Sequence, residues 1–326
     1  MENRVLILGT LPPPVGGVSI HVQRLVDTLE KNAIPFSFLS LKNSFWLLAT
    51  AICSSHLIHL HCSNVYFRCL LACFCFITRK KLWITYHGNL GRYHSLKNRL
   101  DYWSVGLASL PIVLNEHSLK KAQKWNGKAR LISSFIPPQY PEQLPDSIRL
   151  QLRIWRTKYK LVCSTNVSNV AFDSSNREIY GILPLLELFE HRQTDCLLVS
   201  DASGRYLDYV LTQRDELPPN VFFILERHSY YALLQEVDCM IRNTTTDGDA
   251  ISIKEALYLN KYVCATDVVS RHESVNCYRT LEELDSLLNH YYLPEQAMCI
   301  SGEEDWLALY RNECVAGNCK QKIVEK

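Results

Sequence analysis

Arg242 to Ala256 reads RNTTTDGDAISIKEA and joins the end of an apolar strand-like run, CMIRN, to the opening of an amphipathic helix. It sets two carboxylates, Asp247 and Glu255, on either side of that helix start. Between them Gly248 permits a tight backbone, Asp249 suits a helix cap, and Ser252, Glu255 and Ala256 suit the opening turns of a helix whose N-terminus favours an anion. Glu255 shares a face with Ile251 and Ser252, one turn earlier, so it reaches toward a cleft and can accept hydrogen bonds from two adjacent hydroxyls. Phosphate beside vicinal hydroxyls describes a nucleotide sugar. A capped amphipathic helix with solvated acids is the plainer alternative for the segment alone.

The surrounding chain has 326 residues, enough for two domains, and at 47% apolar and 21% charged it fills two cores. A net charge of +2, without a basic stripe interleaved with aromatics, points away from nucleic acid. Thirteen cysteines, an odd number scattered through apolar runs, fit a reducing cytoplasm better than a disulfide framework. Cys69, Cys73 and Cys75 lack a zinc-ligand spacing and read as small core residues. The apolar run in MENRVLILGT is too short for a signal-peptide core, so Asn166 and Asn243 carry no glycosylation meaning. Val65 to Ile77, VYFRCLLACFCFI, is too short to span a bilayer. It reads as a buried helix whose basic flank, Arg79 to Lys81, offers peripheral contact with anionic lipid.

Short apolar runs alternate with longer amphipathic ones, the pattern of parallel βαβ units. Strands are expected at 4–8, 36–41, 56–61, 82–86, 111–114 and 129–133, with a first helix over 19–31. A second series follows at 160–164, 196–200, 221–225, 238–241 and 262–265. The proline-rich segment 135–146 is the expected connection, giving domains of 1–145 and 146–300 with a helical tail, 301–326, bracing their junction. Such doubly wound α/β sheets bind ligands beyond the carboxyl ends of their strands, here expected in an interdomain cleft. The paired glycines Gly16 and Gly17 sit directly after the first strand, with Ser19 placed to cap the next helix. They lack the three spaced glycines of the dinucleotide fingerprint.

PPPVGGVSIHV (12–22), TYHGNLGRY (85–93) and TDGDAISIKEAL (246–257), in that order, resemble family 4 of the retaining glycosyltransferases over about residues 1–300. The resemblance implies the GT-B fold, two Rossmann-like domains, with the nucleotide-sugar donor held mainly by the second and, in many relatives, a lipid-linked saccharide acceptor used for surface polysaccharide such as O-antigen or capsule. The family's Glu-x7-Glu pattern falls on Asp247 and Glu255. Glu255 matches the ribose-binding carboxylate, and Asp247 the position that addresses the donor sugar, one methylene shorter than usual. His87 matches a histidine beside the reacting sugar, with a structural histidine as its alternative, and Gly16 and Gly17 match the loop that approaches the donor phosphates. His59 and His61 share a strand face and read as packing, since two histidines without an acid make a poor metal site.

One departure stands out. The family's Arg and Lys after the first strand of the second domain neutralise the departing diphosphate, but here the region reads CSTNVSNVAFDSSNREIYGI (163–182). Arg177 is its one cation, and Arg242 is the other candidate for the role. The resemblance implies transfer with retention, no cofactor and no metal. Asp247-Gly248-Asp249 does spell an Asp-x-Asp metal motif, although Asp249 is better used as a cap. A nucleotide-sugar epimerase of the same fold and a noncatalytic nucleotide-sugar-binding partner are the rival readings.

Overall fold

The computed structural model describes residues 5–13, 15–93, 95–292 and 300–317. They form two compact units, one running to Gln139 and taking the chain up again from Ser301, the other covering Tyr140–Ile300. In the first, β1 (Val5–Gly9), α1 (Gly17–Lys31), β2 (Ser37–Ser40), α2 (Phe45–Ser54), β3 (Leu57–His61), α3 (Val65–Ile77), β4 (Lys81–Tyr86), α4 (Ser95–Leu107), β5 (Leu110–Val113), α5 (Glu116–Gln123) and β6 (Arg130–Leu131) alternate. The second contains α6 (Asp146–Lys158), β7 (Leu161–Asn166), α7 (Ile182–His191), β8 (Asp195–Ser200), α8 (Arg205–Gln213), β9 (Val221–Ile224), α9 (Tyr230–Glu236), β10 (Cys239–Arg242), α10 (Ile251–Tyr258), β11 (Tyr262–Thr266), β12 (Asn276–Tyr278) and α11 (Leu281–Asn289). The last helix, α12 (Glu303–Gly317), belongs to the first unit.

Each unit is built on a parallel six-stranded sheet, ordered β2-β1-β3-β4-β5-β6 in the first and β12-β11-β10-β7-β8-β9 in the second. Helices cover both faces, which is why β1, β3 and β8 are buried at every position and β1 reads as a continuous apolar run. In the first unit Val22, Leu25, Val26 and Leu29 of α1 pack with Trp306, Leu307 and Tyr310 of α12 on one face. Residues of α2 to α5 pack on the other. In the second unit α6, α9 and α10 cover one face and α7, α8 and α11 the opposite one. Strand order reverses between β1 and β3 and again between β7 and β10, so each sheet has a switch point at its carboxyl edge. The loops after β1 and after β10 carry Gly16 and Asp247 to those points, and Gly17 opens α1 directly after the first of them.

Several local expectations are revised. The sequence reading passed over β12, a three-residue strand, and the strand expected at 129–133 shrinks to Arg130–Leu131. Helix α1 starts at Gly17, two residues early. Ser19 therefore lies inside its first turn, where its hydroxyl accepts from the Gly16 amide and donates to the Gly16 carbonyl, both at 3.1 Å, and Gly16 is the cap position. Helix α3 is not a buried helix: Cys69, Leu71, Ala72 and Cys75 face the core, whereas Tyr66, Leu70, Phe76 and Ile77 are exposed. Among the described residues no disulfide joins the cysteines, and no helix is long and apolar enough to cross a membrane.

Candidate active site

In the second unit the site grows from β10. Its last residue, Arg242, donates to Asp247 across the following loop, Nη2 to Oδ1 at 3.1 Å and Nε to Oδ2 at 3.3 Å. Arg271, from the loop between β11 and β12, donates Nη1 to Oδ2 at 2.9 Å, and the Gly248 amide donates to Oδ1 at the same distance. Arg242 also lies over the Tyr180 ring at 5.2 Å. All three charged side chains of this cluster are largely buried, with Asp247 5% and Arg271 4% exposed. Burial pushes the Asp247 carboxyl up, but attraction to Arg242 and then Arg271 overcomes it and holds the group below the ordinary carboxylate range. Two guanidiniums against one carboxylate leave a net positive charge, and Arg271 Nη2 is buried without a hydrogen-bond acceptor.

Helix α10 opens beside this cluster. The sequence reading gave it Asp249 as a cap, but the cap position is Ala250 and no side chain caps the helix. Asp249 instead pairs with Lys254 at 2.5 Å, because the chain enters the helix one residue later than the cap reading requires. The other strand-following helices of this unit are closed: Glu178 accepts from the Ile182 and Leu183 amides of α7, Asp201 from Tyr206 and Leu207 of α8, Ser229 caps α9 and Thr280 caps α11. Amides at Ala250, Ile251 and Ser252 are thus the ones left for an anion at a strand end. Glu255 is buried one turn further on, sharing the inward face with Ser252 and Ala256.

The loop after β7 lies against this segment. Thr245 donates from its amide to Ile179 O at 2.9 Å, and Asn243 Nδ2 to Gly181 O at 2.8 Å. Gly181 has a φ of 56°, and a Cβ there would come within 2.6 Å of Asn243 atoms, so both backbone and space require glycine. Arg177, on the turn bridged by Phe172 and Glu178, is tied to Asp173 at 2.9 Å and is 67% exposed. It stands apart from the ion pairs that join Arg242, Asp247 and Arg271. Neither Gly16 nor Gly248 takes a positive φ, and a Cβ at either would meet nothing within 4 Å. Open space, rather than backbone strain, is the physical feature of both.

In the first unit His87 follows β4, and its Nε2 lies 3.0 Å from Nδ1 of His61 at the end of β3. His59 lies beside His61 with ring centroids 4.2 Å apart and the planes tilted by 47°, and His21 of α1 completes the group at 5.3 Å from His61 and 5.2 Å from His87. Burial, then the neighbouring imidazoles, holds His59, His61 and His87 well below the ordinary histidine pKa, so these rings are neutral at pH 7. Sequence reasoning missed Arg271 and His21. Arg271 lies in SRHESV with no motif around it, and His21 stood inside the quoted glycine-turn motif without a role.

No family model and no curated protein sequence matches the chain. Solved structures do. Anabaena HepE in complex with UDP and glucose is similar at 14% identity and a TM-score of 0.64, with 95% of each chain covered. WaaG, a glycosyltransferase involved in lipopolysaccharide biosynthesis, matches at 12% identity and a TM-score of 0.54, over 97% of this chain and 95% of its own. A Listeria monocytogenes protein described as a putative UDP-N-acetylglucosamine 2-epimerase matches at 10% identity and a TM-score of 0.62, over 99% and 100%. The fold is GT-B. Within that GT-B frame, the uncapped α10 start, Glu255 and the paired arginines all sit at the carboxyl edge of the second sheet.

Proposed function

We propose that this protein is a retaining glycosyltransferase that moves a sugar from a nucleotide-sugar donor to a lipid-linked saccharide in the building of surface polysaccharide. The observation that carries the reading is the α10 start, which no side chain caps, which follows a loop whose Asp247 gathers two buried arginines, and which carries buried Glu255 one turn on. In this reading the amides at Ala250, Ile251 and Ser252 hold the diphosphate and Glu255 accepts from the ribose hydroxyls. As the anomeric bond breaks, negative charge on the leaving diphosphate is stabilised by the helix start with Arg242 and Arg271, and such fixed donors are the main lever in this chemistry. Arg271, not Arg177, is the better replacement for the absent lysine, because Arg177 is exposed and already paired with Asp173. Asp247 then orders the arginines more than it grips the sugar. From the first unit, the resemblance assigns a sugar contact to His87 and phosphate contacts to Gly16 and Gly17, and Gly16 has open space around it. The acceptor hydroxyl passes its proton to the departing phosphate, with no metal required. WaaG's described role supports the polysaccharide setting, and the complex of HepE supports a uridine nucleotide.

Glu255→Gln is expected to weaken donor binding about 10- to 100-fold, the loss of about 1.5–3 kcal/mol for a charged hydrogen bond. Thermal shift with UDP, GDP and ADP sugars, followed by transfer assays, reads this directly. Parent-like donor affinity in the variant would sink the assignment of Glu255. The epimerase reading, favoured by the Listeria likeness, predicts conversion of the donor sugar without any acceptor.

A membrane-borne acceptor calls for contact with lipid, and α2 and α3 supply the surface. Phe45, Trp46, Leu70, Phe76 and Ile77 are exposed, Trp46 at 77% and Ile77 at 79%. Of the basic flank, Lys80 donates to the carbonyls of Cys53 and Ser55 and Lys81 pairs with Glu313 at 2.5 Å. Apolar insertion, more than charge, should therefore drive attachment. Cosedimentation with anionic and zwitterionic vesicles should show binding to both, little reduced by salt and largely lost in Trp46→Ser with Ile77→Ser. Binding that vanishes at moderate salt, or survives the double substitution, contradicts this.

A further inference from the structure

The cluster of His21, His59, His61 and His87 does more than pack. One ring nitrogen from each of His21, His61 and His87 lies within 4.8 Å of the other two. His59 is outside this set, because both its nitrogens are engaged, Nδ1 with the Tyr310 hydroxyl at 2.6 Å and Nε2 with Thr85 Oγ1 at 2.8 Å. Those contacts fix the ring that lies against His61. His21 donates from Nδ1 to the Ser134 carbonyl at 2.7 Å, which places its lone pair on Nε2. That outer hydrogen bond is the usual support of a histidine that ligates a metal. The His61–His87 contact holds two nitrogens 3.0 Å apart. Two imidazoles on one zinc, at about 2.0–2.1 Å each in tetrahedral geometry, place their nitrogens about 3.3 Å apart, so this pair needs little movement, while His21, whose nitrogen lies within 4.8 Å of both, moves inward to complete the set.

We propose that His21, His61 and His87 form a binding site for a borderline-soft divalent cation, with Zn2+ the fitting ion. Three imidazole donors suit Zn2+, and a ligand set without oxygen atoms does not suit Mg2+ or Ca2+. Three protein ligands leave a fourth position for water. All three ligands belong to the first unit, whereas Glu255, Arg242 and Arg271 belong to the second. Because the ion would occupy the His87 ring, its binding would withdraw that ring from any contact with a sugar and act as a brake on transfer. This last consequence, and nothing else here, rests on the function proposed above.

The test uses the full chain, stripped with chelator and titrated with Co2+ as a spectroscopic probe, then with Zn2+. One equivalent of Co2+ should give the visible absorption of a nitrogen-ligated, four-coordinate ion, without a thiolate charge-transfer band, and Zn2+ should displace it. His21→Gln and His87→Gln should each weaken binding at least tenfold. On the unmutated protein labelled with 15N-histidine, Zn2+ should shift three of the eleven imidazoles strongly, a readout that holds even if a variant fails to fold. Absence of the cobalt spectrum, a thiolate band that assigns the ion to cysteines, or unchanged histidine resonances would each overturn the site. Zinc binding without inhibition of transfer would leave the site standing and remove only the brake.

Discussion

Asp247→Ala is expected to destabilise the second unit by about 3–5 kcal/mol, the cost of leaving buried charge without its partner. The carboxylate holds Arg242 at 3.1 Å and Arg271 at 2.9 Å, and removing it leaves two guanidiniums facing each other in a largely buried setting. For a unit of this size the loss corresponds to a fall in Tm of about 10 °C. Asp247→Asn should recover part of this, since the amide keeps the volume and one acceptor. Combining Asp247→Ala with Arg271→Met should also recover part, because one stranded charge is gone. Calorimetry across these variants separates the cases, and a parent-like Tm in Asp247→Ala would show that the cluster is not the tie described. The pH dependence has a definite sign. A carboxyl whose folded pKa is depressed contributes stability that is fully present above its unfolded pKa, about 3.9, and is lost as pH falls through the lower folded value. The parent should lose this contribution below about pH 4, and Asp247→Ala should show a flatter acid limb.

Trp306→Ala is expected to cost the first unit a similar amount, about 3–5 kcal/mol. The side chain is fully buried, its indole N–H donates to the Ser133 carbonyl at 2.9 Å, and its rings lie 5.2 Å from His21 and 5.5 Å from His59. Truncation opens a cavity between α1 and the sheet and leaves that carbonyl without its donor. Trp306→Phe should cost much less, because most of the volume remains. Hydrogen exchange provides the spatial readout: amides of α1 and β3 should lose protection in Trp306→Ala, while those of β7 and β8 should not. Equal loss in both units would contradict the assignment of α12 to the first.

The sheets were legible because buried parallel strands are short, apolar and regularly spaced, as VLILG and DCLLVS are. Glu255 was legible for a related reason: an i, i+3, i+4 pattern within one helix places it on the inward face with Ser252. Asp249 misled because a residue's suitability as a cap does not fix where the helix begins, and here Lys254 claims the carboxylate. The α3 segment misled because hydropathy records how apolar a run is and not how much of it a core covers.

The sequence by itself determined the alternation of strands and helices, the glycine turn, and the carboxylate on the α10 face, since each depends on residues within a few positions of one another. Only the tertiary structure decided that Arg271 meets Asp247 from 24 residues away, that His21, His61 and His87 converge, and that Trp306 returns to close the first core. Those pairings arise where strand order brings distant loops to one sheet edge. A charged or aromatic side chain takes its partner from whatever the sheet places beside it, and local sequence holds no record of that neighbour.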